Sequence, residues 1–523
     1  MSEVGERIGA NISFWERTAE KFQSTPLTQD LSTDVCVVGA GIAGMTTAYL
    51  LARAGREVTV IDDGPVGGGM TARTTAHLVN ALDDRFYEIE SMLGEEEARL
   101  AAESHTAAID EVERIVRAEN IDCNFERVEG YLFLPLGGSV ENLEKELDAI
   151  RRAGLGGVER VETIPAMNNT SGPGLRFPRQ AQFHPLKYLS ALAEIVVARG
   201  GKIFTGTRVL EVKGGSPVRI ETREGHVVTA QHGVVTTNTP INDRYIIHTK
   251  QAPYATYVIG LRVTRGALPH ALWWDTGQTK KDEEQTLGPA PYHYIRLARD
   301  GETDVLIVGG EDHKTAQAFD FEARFKNLED WTRDHFPEAG ELTDRWSGQV
   351  MEPVDAMAYI GRNPNDENVY IATGDSGNGI THGTIAGMLI SDLILGGENR
   401  WEKLYDPSRK TLAPVVVADY VKENANVMAQ MRDYVTGGDI SALDKLGRGE
   451  GALVRDGVHK IAAYRDDEGT LHQMSAVCPH LKCIVRWNGT EKSWDCPCHG
   501  SRFDCLGRMV NGPTTGDLEP IEK

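Results

Sequence analysis

The chain from residue 34 to residue 63 runs Asp34-Val-Cys-Val-Val38, then Gly39-Ala40-Gly41-Ile42-Ala43-Gly44, then Met45 to Gly55, then Arg56-Glu57-Val58-Thr-Val-Ile61-Asp62-Asp63. The first five residues read as a short buried strand. Met45 to Gly55 reads as a helix closed by glycine, and Val58 to Ile61 as a second strand. Together they make one βαβ unit of about 30 residues. Gly39 permits a tight turn, Gly41 admits a pyrophosphate close to the backbone, and Gly44 lets helix and strand touch. The helix N-terminus then adds amide donors and a favourable dipole. Asp62 follows Gly39 by 23 residues, where a carboxylate meets ribose hydroxyls, with Asp63 beside it. Glycine-rich turns also occur in α/β proteins without nucleotide. With strand, helix and acid all in register, the expectation is a dinucleotide.

Working outward, Met1 to Asp30 reads as a helical arm (Ile12, Phe14, Trp15, Phe22) entering a proline-containing loop, with no chemistry assigned. Asp83 to about Ala153 is charged and mostly helical in period. Gln182 to Arg199 reads as a helix, and Lys202 to Val212, Val218 to Thr222 and Val234 to Asn238 as strands. Tyr257 to Val263, Tyr292 to Arg296 and Val305 to Val308 suggest an antiparallel sheet. Asn368 to Ala372 is a buried strand meeting Gly374-Asp-Ser-Gly-Asn-Gly379, and a helix follows through Ile394. Val415 to Tyr434 reads as a connecting helix, Gly437 to Gly451 as a glycine-rich linker, and the remainder as short strands.

The 523 residues carry a net charge of −22. This length implies several domains. The acidic balance argues against nucleic acid and anionic membrane surfaces as partners. No apolar run approaches the ~20 residues of a membrane span, and Met1 to Lys21 lacks the apolar core of a secretory signal. The expectation is a soluble, cytoplasmic protein. Of seven cysteines, five lie between Cys478 and Cys505, which suggests a metal site appended to a cysteine-poor body. Cys36, Cys123 and Cys505 read as structural.

The tail reads Cys478-Pro-His480-Leu-Lys-Cys483, then 12 residues, then Cys496-Pro-Cys498-His499-Gly-Ser501-Arg-Phe503. Two pairs, each one thiolate and one imidazole, can put both thiolates on one iron and both imidazoles on the other, as in a Rieske [2Fe–2S] centre. A Cys₂His₂ zinc site and a fortuitous cysteine cluster are the alternatives. The doubled turns, the prolines and the extra cysteine in each loop resemble the Rieske family. That resemblance implies Cys478, His480, Cys496 and His499 as ligands and a Cys483–Cys498 disulfide, as in the quinol-oxidising branch. It also implies that Ser501 hydrogen-bonds a cluster sulfur. Phe503 departs from the tyrosine of that branch, so the expected potential lies below that of the full motif and above plant-type ferredoxins.

The segment Asn368 to Thr384, Gly69-Met-Thr-Ala-Arg73, Phe183-His-Pro-Leu186, Val234 to Asn238, Trp346-Ser-Gly348 and Tyr359-Ile-Gly361 resemble, in order, the D-amino-acid-oxidase-like FAD family (glycine oxidase, sarcosine oxidase, D-amino-acid dehydrogenase). The resemblance covers about Asp34 to Gly397. It implies non-covalent FAD, with Thr74 where one tethered subfamily carries histidine. The pyrophosphate would lie at Gly39, Gly41 and Gly44 and the adenine near Val209. Thr71, Arg73 and Thr75 would lie near the pyrophosphate and flavin, and Gly374, Gly379 and Ile380 near the pyrimidine. The absence of a second Gly-x-Gly-x-x-Gly disfavours a two-nucleotide reductase.

The fold class expected is therefore an α/β Rossmann-type FAD-binding domain with an antiparallel-sheet substrate domain, plus a small all-β Rieske domain. The boundaries read are an arm at 1–30, the oxidoreductase at 31–400 with a substrate subdomain at about 83–180 and 240–345, a connector at 401–437, and the Rieske domain at 438–523.

Flavins take two electrons from a substrate and Rieske centres carry one. The leading expectation is a dehydrogenase that oxidises an amine or amino-acid-like C–N bond and passes electrons through the cluster to an external carrier such as a ferredoxin or quinone. The alternatives are a flavin reductase fed through the cluster and a non-catalytic redox carrier or sensor. A ring-hydroxylating oxygenase would need a mononuclear iron site, which the chain does not display. Substrate contacts expected from the resemblance are Arg262, Arg296, Tyr254, Tyr257, Tyr292 and Tyr294. The bland reading of the same residues is sheet packing. Gln349-Val-Met351 stands where amino-acid oxidases often carry Leu-Arg-Pro, which puts an amino-acid carboxylate in doubt. His77 and His382 are possible flavin neighbours, and no catalytic base is assigned.

Overall fold

The computed structural model describes residues 9–167, 171–242, 246–277, 292–457 and 459–521. Strand Leu31–Val38 lies at the centre of a parallel sheet, between Val58–Ile61 on one side and Val227–Val235 on the other. Lys202–Phe204 and Val369–Thr373 extend the sheet outward, and Tyr359–Arg362 adds an antiparallel edge. Central parallel strands are covered on both faces, which is why Val35, Cys36 and Val37 are all fully buried. Helices Ile42–Arg53 and Gly379–Ile394 cover one face. They approach closely because Gly383 and Gly387 present no side chain: a Cβ at Gly387 would lie 2.4 Å from Thr46.

A second, mixed sheet has nine strands. Its order is Leu342–Pro353, Gln251–Thr264, Thr303–Lys314, Tyr294–Asp300, Ala271–Asp275, Glu126–Pro135, Ser171–Gln182 and His77–Leu78, with Glu159–Val161 alongside. The stretch from Asp83 to Ala153 is mostly helical, as expected, with the one long strand Glu126–Pro135 set between its helices. The strand's charges, Glu126, Arg127 and Glu129, lie off the core, while Val128, Leu132 and Leu134 are buried. The arm is helical only over Phe14–Thr18, and its first eight residues lie outside the described ones. Lys202 to Val212 splits into two strands that pair with different partners. Leu342–Pro353 joins the mixed sheet and Tyr359–Arg362 the parallel sheet.

Helix Pro414–Gln430 leads to two small antiparallel sheets, of three and four strands, in the C-terminal module. That module packs on its own chain. Arg208 and Arg223 pair with Asp517 at 2.7 and 2.5 Å, and buried Glu491 accepts hydrogen bonds from the Ser347 amide and hydroxyl at 3.0 and 2.6 Å. Among the described residues no helix is long and apolar enough to cross a membrane.

Candidate functional site

A cleft of about 780 Å³ opens at the carboxyl ends of the parallel strands, where open α/β sheets hold ligands. Gly39, Gly41, Ile42 and Ala43 line its floor. Gly39 has φ +108°, and a Cβ there would lie 2.5 Å from the Thr236 carbonyl oxygen. A Cβ at Gly44 would lie 1.9 Å from the Gly39 oxygen, so its role is packing, and it does not line the cleft. Ala40 also stays out of the cleft, its amide donating to Asp62 Oδ2 at 2.6 Å. Asp62 takes a second amide, from Gly64 at 2.7 Å, and shares the wall with Asp63. Burial and the neighbouring Asp63 push the Asp62 carboxyl up. Val209, Thr71, Arg73, Thr75, Gly374, Gly379 and Ile380 all line the same cleft. So do His77 and His382, each with one ring nitrogen held by a backbone carbonyl, of Ile295 and Asp375 respectively.

This cleft fits a dinucleotide on its own evidence. The start of helix Ile42–Arg53 opens onto it with no side-chain cap at Gly41, and amide donors there suit an anionic pyrophosphate. Arg73 is buried in its wall, both terminal nitrogens without a hydrogen-bond partner but the guanidinium in ion-pair range of two carboxylates. Its nearest carboxylates, Glu491 and Glu16, lie 3.6 and 3.9 Å away.

The substrate-side expectations divide. Tyr254, Tyr292 and Tyr294 line the cleft. Tyr257 does not: three residues on from Tyr254, it points through the other face of the strand, where its hydroxyl meets His313 Nε2 at 2.8 Å. Arg262 lies beyond the cleft, half exposed and paired with Glu341 at 2.9 Å. Arg296 is buried beneath Trp15 and donates to the carbonyls of Ala76 and Phe183 at 2.7 and 3.1 Å, so it is a structural residue. Burial lowers its pKa to about 9.

No sequence motif announces the acids gathered here. Asp83, Asp84, Asp312, Glu352 and Asp375 line the cleft. Tyr292 donates to Asp83 at 2.9 Å, the Tyr294 and Thr256 hydroxyls share a hydrogen bond, and Thr256 reaches Asp312. Burial pushes Asp83 and Asp375 up to about 6 and Asp312 up to about 7. Glu352 is raised further by burial and by Asp84 and Asp375. Arg85 lines the same cleft, donates to the carbonyls of Leu82 and Asp275, and by its charge draws the Asp83 and Asp84 carboxyls partly back down. These acids come from four separate segments, so no motif links them.

In the C-terminal module, Cys478, His480, Cys496 and His499 come together on two loops. The His480 and His499 rings are 5.0 Å apart, and Cys478 and Cys496 interact through their thiols. His499 Nδ1 is buried and unpartnered, and burial beside His480 and His248 lowers its pKa to about 3. A neutral imidazole with a free nitrogen suits metal ligation. Cys483 and Cys498 form a disulfide. Ser501 accepts from the Thr514 amide at 3.2 Å and lies within hydrogen-bond reach of Cys478. Residues 509–512 of this module line the flavin cleft itself.

The chain belongs to the FAD-dependent oxidoreductase family, whose profile matches residues 34–393. The Rieske [2Fe-2S] domain profile matches residues 439–522. It is thus an FAD-dependent oxidoreductase carrying a Rieske domain, with FAD and a [2Fe–2S] cluster as cofactors. It is 29% identical to the Rieske 2Fe-2S iron-sulfur protein YhfW of Bacillus subtilis, over 98% of this chain and 97% of that one. It is 24% identical to gamma-glutamylputrescine oxidoreductase of Escherichia coli, over 75% of this chain and 90% of that protein. The crystal structure of glycine oxidase from Geobacillus kaustophilus shares the fold, with a TM-score of 0.59 and 18% identity, covering 73% of this chain and 99% of that one.

Proposed function

We propose that the protein is an amine dehydrogenase that oxidises a C–N bond of a cationic amine and passes the electrons singly, through the Rieske cluster, to an external carrier of the ferredoxin or quinone kind. The observation that carries this reading is the shared cleft, lined both by Gly39, Gly41 and Gly379 and by Met509 to Gly512 of the Rieske module. Bound FAD supplies the hydride acceptor. Gly39, Gly41 and the start of helix Ile42–Arg53 cradle its pyrophosphate, Asp62 and Asp63 face its ribose, and Val209 its adenine. Thr71, Arg73 and Thr75 hold its negative charge, and Gly374, Gly379 and Ile380 border its ring. In the Rieske module, Cys478, Cys496, His480 and His499 hold the cluster.

At the substrate end, Tyr254, Tyr292 and Tyr294 form the wall and the carboxylates favour a cation. A substrate carboxylate finds no counterpart in Arg262 or Arg296, which are engaged elsewhere. An ammonium must lose a proton before hydride can leave its carbon, and Asp312 is tuned by burial to about 7 for that acceptance. The name of the Escherichia coli relative points to the same substrate class.

The test is an anaerobic spectral titration of the holoprotein with diamines, secondary amines and amino acids. Flavin bleaching by amines, followed by loss of the oxidised Rieske absorbance, is the expected result. Bleaching by amino acids alone would overturn the cationic-amine assignment. Cluster-first reduction by reduced ferredoxin or quinol, with no response to amines, would reverse the direction of flow.

A further inference from the structure

The Rieske module presents its ligand-bearing tip to the flavin domain of the same chain. His248 stands in the short turn Ile247–Lys250, just before strand Gln251–Thr264. Its ring lies edge-on to His480 at 5.0 Å between centroids and edge-on to His499 at 6.0 Å. With His480 and His499 themselves 5.0 Å apart, the three rings form one packed triangle. His248 is 2% exposed and His499 5%. Both imidazoles of a Rieske centre sit on one iron, so the histidine edge of the cluster is turned inward here.

Two further contacts tie this edge to the flavin cleft. Gln349, which lines the cleft, donates to the Gly500 carbonyl at 3.1 Å and accepts from Asn511 at 2.8 Å. Gln251, three residues beyond His248, donates to Thr373 Oγ1 at 3.1 Å, and Thr373 also lines the cleft. The histidine pair is therefore linked to the cavity through the backbone, from His499 to Gly500 and from His248 to Gln251, and then through the hydrogen bonds of Gln349 and Gln251.

We infer that His248 is the positioning residue for electron transfer within one chain: it seats the histidine edge of the cluster against the chain's own flavin domain. The inference rests on the proposed passage of electrons from flavin to cluster. Each passage moves one electron and makes or breaks no bond. Two passages dispose of the two electrons of a C–N oxidation, and the external one-electron carrier restores the cluster between them.

The experiment is single-turnover stopped-flow on the holoprotein, with the flavin reduced either by substrate or by light with a sacrificial donor, and the cluster followed by its absorbance and EPR signal. In the unaltered protein the cluster should be reduced at a rate independent of protein concentration. His248→Ala should leave flavin reduction and the EPR intensity of the dithionite-reduced cluster unchanged, while slowing flavin-to-cluster transfer about ten-fold or more. His248→Phe, which keeps a ring in the triangle, should recover part of that rate. A rate that rises with protein concentration, or an unchanged rate in His248→Ala, overturns the inference. If His248→Ala fails to assemble its cluster, Gln349→Ala and the concentration series on unaltered protein decide the matter. If no amine reduces the flavin but photoreduced flavin passes its electrons on at a concentration-independent, His248-sensitive rate, the functional reading fails and the inference stands.

Discussion

Gln349 donates its side-chain amide to the carbonyl of Gly500, 3.1 Å away across the boundary between the flavin domain and the Rieske module. Gln349 opens the Gln349-Val350-Met351 stretch, so the place expected for an arginine in amino-acid oxidases falls to its neighbour Val350. The Gln349 side chain serves the other cofactor's domain, and it also accepts from Asn511.

Gly500 has φ +81°, and a Cβ there would fall 2.4 Å from Gln349 Nε2 and 2.8 Å from Pro253 Cβ. Gly500→Ala should therefore strain the loop and push the module off its seat. The expected outcome is faster proteolysis in the connecting segment around 431–449, with the flavin spectrum retained. Wild-type resistance would show that the contact does not hold the module down.

Arg73 lines the cleft, and its two buried terminal nitrogens have no hydrogen-bond partner, with Glu491 standing 3.6 Å away. A hydrogen bond to a charged group contributes about 1.5–3 kcal/mol, so Arg73→Ala should weaken FAD binding by roughly ten- to hundred-fold. Equilibrium binding of FAD to the deflavinated protein measures this. Arg73→Lys should recover only part of the loss, because a point charge does not reproduce the guanidinium fork.

Much of this architecture was legible because its signals are local. The βαβ glycines, the acid at the end of the second strand, and the paired Cys-x-His and Cys-x-x-His loops each span a few residues, and the structure brings each set together. The substrate wall was less legible, for geometric reasons. Tyr254, Thr256 and Val258 alternate onto the cleft, whereas Tyr257 falls on the opposite face with His313. Arg262 has the parity of the cleft face, yet it lies six residues past Thr256. At about 3.3 Å per residue the strand has by then run some 20 Å beyond it. Arg296 likewise shares parity with Tyr294 but is claimed by backbone carbonyls under the N-terminal arm. The acids of the cleft depend on tertiary convergence alone, which no spacing records.

Asp312, pushed up to about 7 by burial, makes a pH prediction. The ionised carboxylate is the form that accepts a proton, and its population grows as pH rises through the folded pKa. The rate of flavin reduction by a saturating amine should therefore climb between about pH 6 and 8 and level above it. Asp312→Asn should lower that rate by about 10²–10⁴-fold, the usual contribution of a general base, and abolish the step near 7. A step that survives in the variant would assign the titration to another group.

Ser501 provides the last prediction. Its hydroxyl accepts from the Thr514 amide, so its proton is free to be directed at the Cys478 sulfur within reach. A hydrogen bond to a ligand sulfur stabilises the reduced cluster, which carries the greater negative charge, and so raises the potential. Ser501→Ala should lower the midpoint potential of the cluster, read by EPR-monitored redox titration, while the ligand set and the reduced-state EPR intensity persist. A lower potential makes the cluster a poorer acceptor, so the same variant should hold more of its electrons on the flavin at equilibrium. An unchanged potential would mean that the hydroxyl serves only to anchor the Thr514 loop, and both effects should then vanish together.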